Sequence, residues 1–123
     1  MPVSTGWFFV GLIFCKMSEY IKIDFSKWKC RINEFDKFIP NAVPGVYIFV
    51  NPKNINGLIK YWPMYIGSTK SLRSRLSSHE IYRAMLNEIS PIECYYIETN
   101  DYIFEEARLI KKYKPTFNLQ YKN

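Results

Sequence analysis

Residues 44–67 read PGVYIFVNPKNINGLIKYWPMYIG. From Gly45 to Val50 the side chains alternate, Tyr47 and Phe49 on one face and Val46, Ile48 and Val50 on the other, which is the period-two pattern of a β-strand. The turn formers between Asn51 and Pro63 predict an extended loop carrying Lys53 and Lys60. Met64-Tyr65-Ile66-Gly67 then predicts a second short strand, antiparallel to the first. A hairpin of this kind sets Tyr47 beside Tyr65.

Downstream, Ser68 or Ser71 opens a helix whose apolar stripe is Leu72, Leu76 and Leu86, with His79 inside the stripe and Arg75 at its margin. The register blurs after Glu80, because Ile81 and Met85 fall on the opposite side. Residues 91–99 alternate again and predict a third strand. Asn100 or Asp101 caps a last helix that runs to about Tyr113 and is stopped by Pro115. Its stripe is read as Ile103, Ala107, Ile110 and Tyr113, which turns Glu106 inward, Glu105 nearly opposite, and Arg108 outward. A carboxylate on an inward face is costly unless it is paired, hydrogen-bonded or bound to metal.

Upstream, residues 1–40 form an N-terminal extension to a domain at 41–123. Trp28, Ile32, Phe35 and Ile39 are spaced four, three and four residues apart, which predicts an amphipathic helix over 26–39, from Ser26 to Pro40. The apolar run WFFVGLIFC at 7–15 lacks the preceding positive charge and the cleavage site of a signal peptide. It reads as an extension that packs or frays, and Met17 is an alternative start whose following residues have the texture of an ordinary N-terminus.

Composition narrows the function classes. The 123 residues are 48% hydrophobic and 18% aromatic, too rich in core-forming material for disorder. No apolar run reaches the roughly 18 residues of a membrane-spanning helix, so no membrane association is expected. Seventeen basic residues against eleven acidic give a net charge of +6 and a pI near 9.2, which favours a polyanion as partner. Cys15, Cys30 and Cys94 contain no C-x-x-C pair and there is one histidine, so neither a zinc site nor a disulfide framework is expected, and the thiols read as reduced and cytoplasmic.

Gly45-Val46-Tyr47 followed by Tyr65-Ile66-Gly67 resembles the paired tripeptides of the GIY-YIG nuclease family, with Val at the centre of the first. Arg75 and His79 are similar to that family's Arg-x-x-x-His on the next helix. Glu106, followed by Pro115-Thr116-Phe117-Asn118, resembles its closing Glu and Pro-x-aromatic-Asn. The resemblance covers about residues 44–119 and implies an α+β fold, a small three-stranded antiparallel sheet flanked by helices. It implies hydrolysis of DNA phosphodiester bonds with Mg²⁺ or Mn²⁺, with Glu106 as metal ligand and Arg75 on the scissile phosphate. Tyr47 is then general base or orienter of the attacking water, Tyr65 and His79 assist by hydrogen bonding and proton relay, and Gly45, Gly67 and Asn118 support the site. Lys70, Arg73 and Arg83 are available to the DNA backbone. The 18-residue step from Tyr47 to Tyr65 is longer than is usual in the family. The alternative is a non-catalytic nucleic-acid-binding module of the same fold. With one site and no second domain to read bases, double-strand or specific cleavage calls for a homodimer or a partner protein.

Overall fold

The computed structural model describes residues 3–4, 7–10, 13–16, 20–31, 42–77 and 79–121. Near the N-terminus, β1 (Val3–Ser4), β2 (Trp7–Val10) and β3 (Ile13–Lys16) pair antiparallel in a small sheet of their own. The choice between Met1 and Met17 as the start lies outside the described residues.

The second sheet has four strands, not the three expected. They are β4 (Lys29–Arg31), β5 (Gly45–Ile55), β6 (Leu58–Thr69) and β7 (Glu93–Glu98), in the spatial order β4-β7-β5-β6 with every pair antiparallel. The extra strand comes from the start of the segment read as a helix. Residues 26–28 form a turn in which the Trp28 amide donates to the Phe25 carbonyl at 3.0 Å, and Lys29, Cys30 and Arg31 then pair with Tyr96, Tyr95 and Cys94. An open strand edge supplies backbone partners that outweigh a helical apolar spacing. Phe25 anchors this segment by stacking on Tyr95, ring centroids 3.8 Å apart. The rest of that expected helix, 32–39, lies outside the described residues.

The extended loop expected after Val50 is a correction of the same kind. Strand pairing continues to Ile55↔Leu58, and only Asn56 and Gly57 turn the chain, both with positive φ (52° and 85°), as a two-residue hairpin turn requires. Pro63 is accommodated because it sits at a bulge, where the register steps from Phe49↔Tyr65 to Val50↔Pro63 and leaves Met64 as the extra residue.

Four helices follow: α1 (Leu72–Ser77), α2 (Glu80–Leu86), α3 (Tyr102–Tyr113) and α4 (Thr116–Tyr121). The single helix expected from Ser68 or Ser71 is therefore two, with His79 extended between them (φ −103°, ψ 110°) as the N-cap of α2. The break resets the helical register, which is why Leu76 and also Ile81 and Met85 are buried while Leu86 is exposed. The buried face of α3 is rotated from the expected one. Ile103 and Ala107 are exposed, and Tyr102, Leu109, Ile110 and Tyr113 pack against the sheet. Glu106 remains on the inward side and is half-buried. Glu105 is half-buried too, contrary to the wheel, and is held by Arg108 at 2.7 Å.

The sheet has a core on each face. Tyr47, Phe49, Trp62 and Met64 meet Leu72, Leu76, Met85 and Phe117 on one side. On the other, Val46, Ile48, Val50 and Ile66 meet Leu109 of α3, with Phe25 and Trp28 packed around them.

Candidate active site

Tyr47 lies near the start of the central strand β5 and is 1% exposed. Its cross-strand partner is Gly67, and the ring lies directly over that glycine. A Cβ at position 67 would stand 2.5 Å from Tyr47 Cζ, so any other residue there would push the phenol aside. Gly45 is constrained in the same way: a Cβ would collide with the Ile97 carbonyl and stand 2.7 Å from Leu72 Cδ1. The two glycines are thus packing requirements, one seating α1 against β5 and the other letting Tyr47 reach the β6 edge.

Tyr47 Oη lies 2.7 Å from His79 Nε2. His79 is buried, and its Nδ1 accepts the Tyr82 amide hydrogen at 3.2 Å, which is its capping bond for α2. A nitrogen that accepts carries no hydrogen, so the proton of the neutral ring is on Nε2. His79 therefore donates to Tyr47, and the phenolic hydrogen points elsewhere. Both imidazole nitrogens are engaged in this arrangement. Burial pushes the Tyr47 hydroxyl well above the ordinary tyrosine range, with neighbouring Tyr65 adding to the shift and the Arg75 guanidinium opposing it. Tyr47 is a neutral phenol at pH 7.

Arg75 lies in the last turn of α1, and its Nη1 and Nη2 are gripped by both carboxylate oxygens of Glu80, at 3.0 and 3.1 Å. This fork holds the Glu80 carboxyl down at about 2, and a bond to its own backbone amide acts the same way. Glu80 was not singled out in the sequence. The only signal for it is that it follows His79 directly and is the first acid after Asp36. The pair is five residues apart, which no continuous helix brings together; the α1–α2 break does so.

Tyr65 stands on the Tyr47 face, its ring centroid 6.4 Å from Tyr47 and 5.5 Å from His79. The two tyrosines are neighbours, as expected, although the ladder pairs Tyr65 with Phe49. Burial raises the Tyr65 hydroxyl, Arg75 lowers it and Glu106 raises it. Tyr65 thus lies in the fields of Arg75 and Glu106 at once, and Ser68, which Glu106 touches, adjoins the Gly67 that lies under Tyr47.

Glu106 approaches that edge from the opposite face, on α3. Its Oε1 accepts the Ser68 hydroxyl at 2.6 Å. Among the described residues there is no cluster of three or more His, Cys, Asp or Glu able to enclose a metal ion. One carboxylate beside open surface suits Mg²⁺, which keeps several waters and is bound through one or two carboxylates plus substrate phosphates. Asn118, at the end of the matched motif, pairs its side-chain amide with the Ile66 backbone through two bonds of 2.8 Å, from the Ile66 amide to Oδ1 and from Nδ2 to the Ile66 carbonyl. It satisfies the outer edge of β6 next to Gly67. Of the basic residues read as DNA contacts, Lys70 and Arg83 are exposed and Arg73 is half-buried.

The model of the UvrC-like GIY-YIG domain matches residues 43–119. The UvrABC system protein C of Thermotoga petrophila is 38% identical over 88 residues, 65% of this chain and 14% of that protein. That of Thermosipho africanus is 34% identical over 85 residues, 64% of this chain and 14% of that protein. The chain spans about a seventh of these curated relatives (14%). A solved structure, the GIY-YIG N-terminal endonuclease domain of UvrC from Thermotoga maritima as a point mutant bound to its catalytic divalent cation, is 28% identical. It covers 71% of this chain and 96% of that one at a TM-score of 0.44.

Proposed function

The chain belongs to the UvrC-like GIY-YIG domain family, within the GIY-YIG nucleases, and from that premise we propose that it is an endonuclease that hydrolyses DNA phosphodiester bonds with a divalent cation, Mg²⁺ or Mn²⁺, held at Glu106. The observation that carries this is the convergence at the β6 edge. A neutral phenol and a guanidinium come from one face of the sheet and a lone half-buried carboxylate from the other, with Tyr65 sensing both charges.

The roles follow from the geometry. A cation bound there would supply Lewis-acid stabilisation of the phosphoryl oxygens and a more acidic bound water. Ser68 fixes one oxygen of Glu106, so the carboxylate presents its other oxygen in a set direction. Arg75 offers fixed positive charge to the phosphate as negative charge accumulates on it. Its fork with Glu80 uses one hydrogen on each terminal nitrogen, and with a further bond toward Tyr47 the guanidinium still has donors left for substrate. Tyr47 is an orienting hydroxyl for the attacking water. His79, donating through Nε2, holds that hydroxyl in place while it stays a neutral phenol throughout. Lys70, Arg73 and Arg83 hold backbone phosphates. A single site of this kind cuts one strand, so cleavage of both strands at a defined place requires a second copy or a partner protein.

The test is nicking of supercoiled plasmid by the whole chain with Mg²⁺, with Mn²⁺ and with chelator. Metal-dependent nicking that Glu106→Gln abolishes is the expected result. A chain that binds DNA and leaves it intact with both metals overturns the proposal.

A further inference from the structure

The β5–β6 hairpin runs past the sheet that supports it. β7 leaves β5 at Val50↔Glu93, and on the other edge the Ile21–Tyr61 bridge is the last backbone neighbour of β6 among the described residues. Beyond it stand Lys53↔Lys60, Asn54↔Ile59 and Ile55↔Leu58, closed by the Asn56-Gly57 turn. At about 3.4 Å per residue, the three pairs and the turn project roughly 10 Å.

The composition of this ribbon is unusual for a free element. Lys53 and Lys60 are directly opposite each other, an arrangement that disfavours the folded ribbon. The ribbon carries no acidic residue of its own, since none occurs between Asp36 and Glu80. Leu58 and Ile59 at the tip are 51% and 50% exposed. Side-chain alternation along β5 places Lys53 on the face of Tyr47, and Lys60 follows by pairing. Tyr20 anchors the base of the ribbon, with its hydroxyl on Asn51 and Lys53 Nζ 5.4 Å from its ring centroid.

We propose that this ribbon is a DNA-binding arm that enters a groove of the duplex a few base pairs from the cleaved bond, with Lys53 and Lys60 on phosphates and Leu58 and Ile59 against the groove floor. A two-stranded ribbon fits the major groove, which is about 8.5 Å deep, and the arm is long enough to reach its floor. Lys53 lies six residues along the strand from Tyr47, about 20 Å, which corresponds to some six base-pair steps of duplex. Paired lysines on a stretch that carries no acid of its own select a polyanion over a protein surface. The apolar tip then has base edges and thymine methyls to touch. This inference rests on the reading of the chain as a protein that acts on DNA.

The experiment measures binding of the whole chain to a fluorescently labelled duplex, in chelator, over a range of salt. Hydrolysis is thereby removed from the readout. Lys53→Ala with Lys60→Ala should reduce the slope of log affinity against log salt by about 1.8, the loss of two phosphate contacts. Leu58→Ser with Ile59→Ser should weaken binding several-fold with the slope unchanged. Circular dichroism and thermal melting check that each variant is folded; a single-lysine variant, expected to lose about half the slope change, replaces any double variant that is not. An unchanged salt slope in the folded lysine variant, or loss of binding to a protein partner in place of DNA, overturns the arm. Binding that responds as expected in a chain that never cleaves would sink the endonuclease reading and leave the arm standing.

Discussion

The two sides of the β6 edge are built on opposite plans. On the Tyr47 side the polar groups are tied to one another: His79 is buried between a capping bond and the phenol, and Arg75 is held in a fork by Glu80. On the Glu106 side one half-exposed carboxylate accepts the Ser68 hydroxyl, its one hydrogen-bond partner among the described residues. The first side is organised before anything binds. On the proposed reading, the second is completed from outside, by a hydrated cation and a phosphate. Electrostatic catalysis needs both, because fixed dipoles cost no reorganisation during reaction and a cation supplies charge that side chains lack.

The sharpest way to break this contrast is at the open side. Glu106→Gln should lower cleavage by about 10³-fold or more, with DNA binding in chelator retained and the melting temperature little changed. Glu105→Gln, one residue away, removes only an i,i+3 ion pair with Arg108 that is partly exposed on both sides and screened by solvent. Its cleavage rate should match the parent. Equal losses in the two variants would remove Glu106 from its assigned role.

The committed side is tested by separating the two duties of His79. His79→Ala removes the cap and the phenol's partner, and should cost about 1–3 kcal/mol of stability together with about 10²-fold in rate. His79→Asn supplies a residue that caps well and fails to reach Tyr47. It should recover much of the stability and little of the rate. Recovery of both would mean that His79 matters only as a cap.

How far these features were legible in the sequence differs by region for the same reason. Gly45, Gly67 and Asn118 were legible only through the resemblance to the family's motifs, because the demands they meet are tertiary: Gly45 packs against Ile97 and Leu72, Gly67 lies under Tyr47, and Asn118 pairs with the Ile66 backbone. The Asn56-Gly57 turn was present in the sequence, but Pro52 and Pro63 on either side of it made the segment look like a loop. The bulge that admits Pro63 depends on a partner strand. β4 was hidden because its only reason to be extended is the edge of β7, more than sixty residues later. The face of α3 was misread because it carries two candidate apolar stripes, Ile103 with Ala107 and Tyr102 with Leu109, and only contact with the sheet decides between them. The Arg75–Glu80 pair needed the helix break, whose capping residue is a histidine where serine or aspartate is the usual signal.

A pH experiment sharpens the contrast in stability. Burial raises the hydroxyls of Tyr47, Tyr65 and Tyr95 above the ordinary value near 10, so the unfolded chain releases these protons before the folded one does. Between the two values the folded state binds more protons, and stability must fall as pH rises. Melting temperature should therefore decline from about pH 10 upward. The carboxylate side adds nothing in that range. Tyr47→Phe should flatten the decline, although it also leaves His79 without its acceptor and lowers the melting temperature at neutral pH. A melting temperature constant to about pH 11 would contradict the burial of these hydroxyls.

The smallest expected effect lies where the two plans meet, at Glu80. Its carboxylate shares Arg75 with the incoming phosphate, yet it is largely exposed, with 72% of its side chain accessible against 31% for Arg75. Glu80→Gln keeps a hydrogen-bond acceptor for the guanidinium and removes the competing negative charge. DNA affinity in chelator should rise about two- to threefold at low salt, and the gain should shrink as salt screens it. Turnover at saturating DNA should fall slightly, because Arg75 loses half of its fork and with it a defined direction. The fork's charge is present at all pH values above the ordinary carboxylate range and disappears as pH falls toward about 2. No change in affinity between pH 6 and 8 is therefore expected from this group. Fluorescence anisotropy at two salt concentrations, paired with single-turnover rates, separates the two effects. Weaker binding by Glu80→Gln would show that the carboxylate aims Arg75 at the phosphate more than it competes for it, and would move Glu80 onto the committed side of the site.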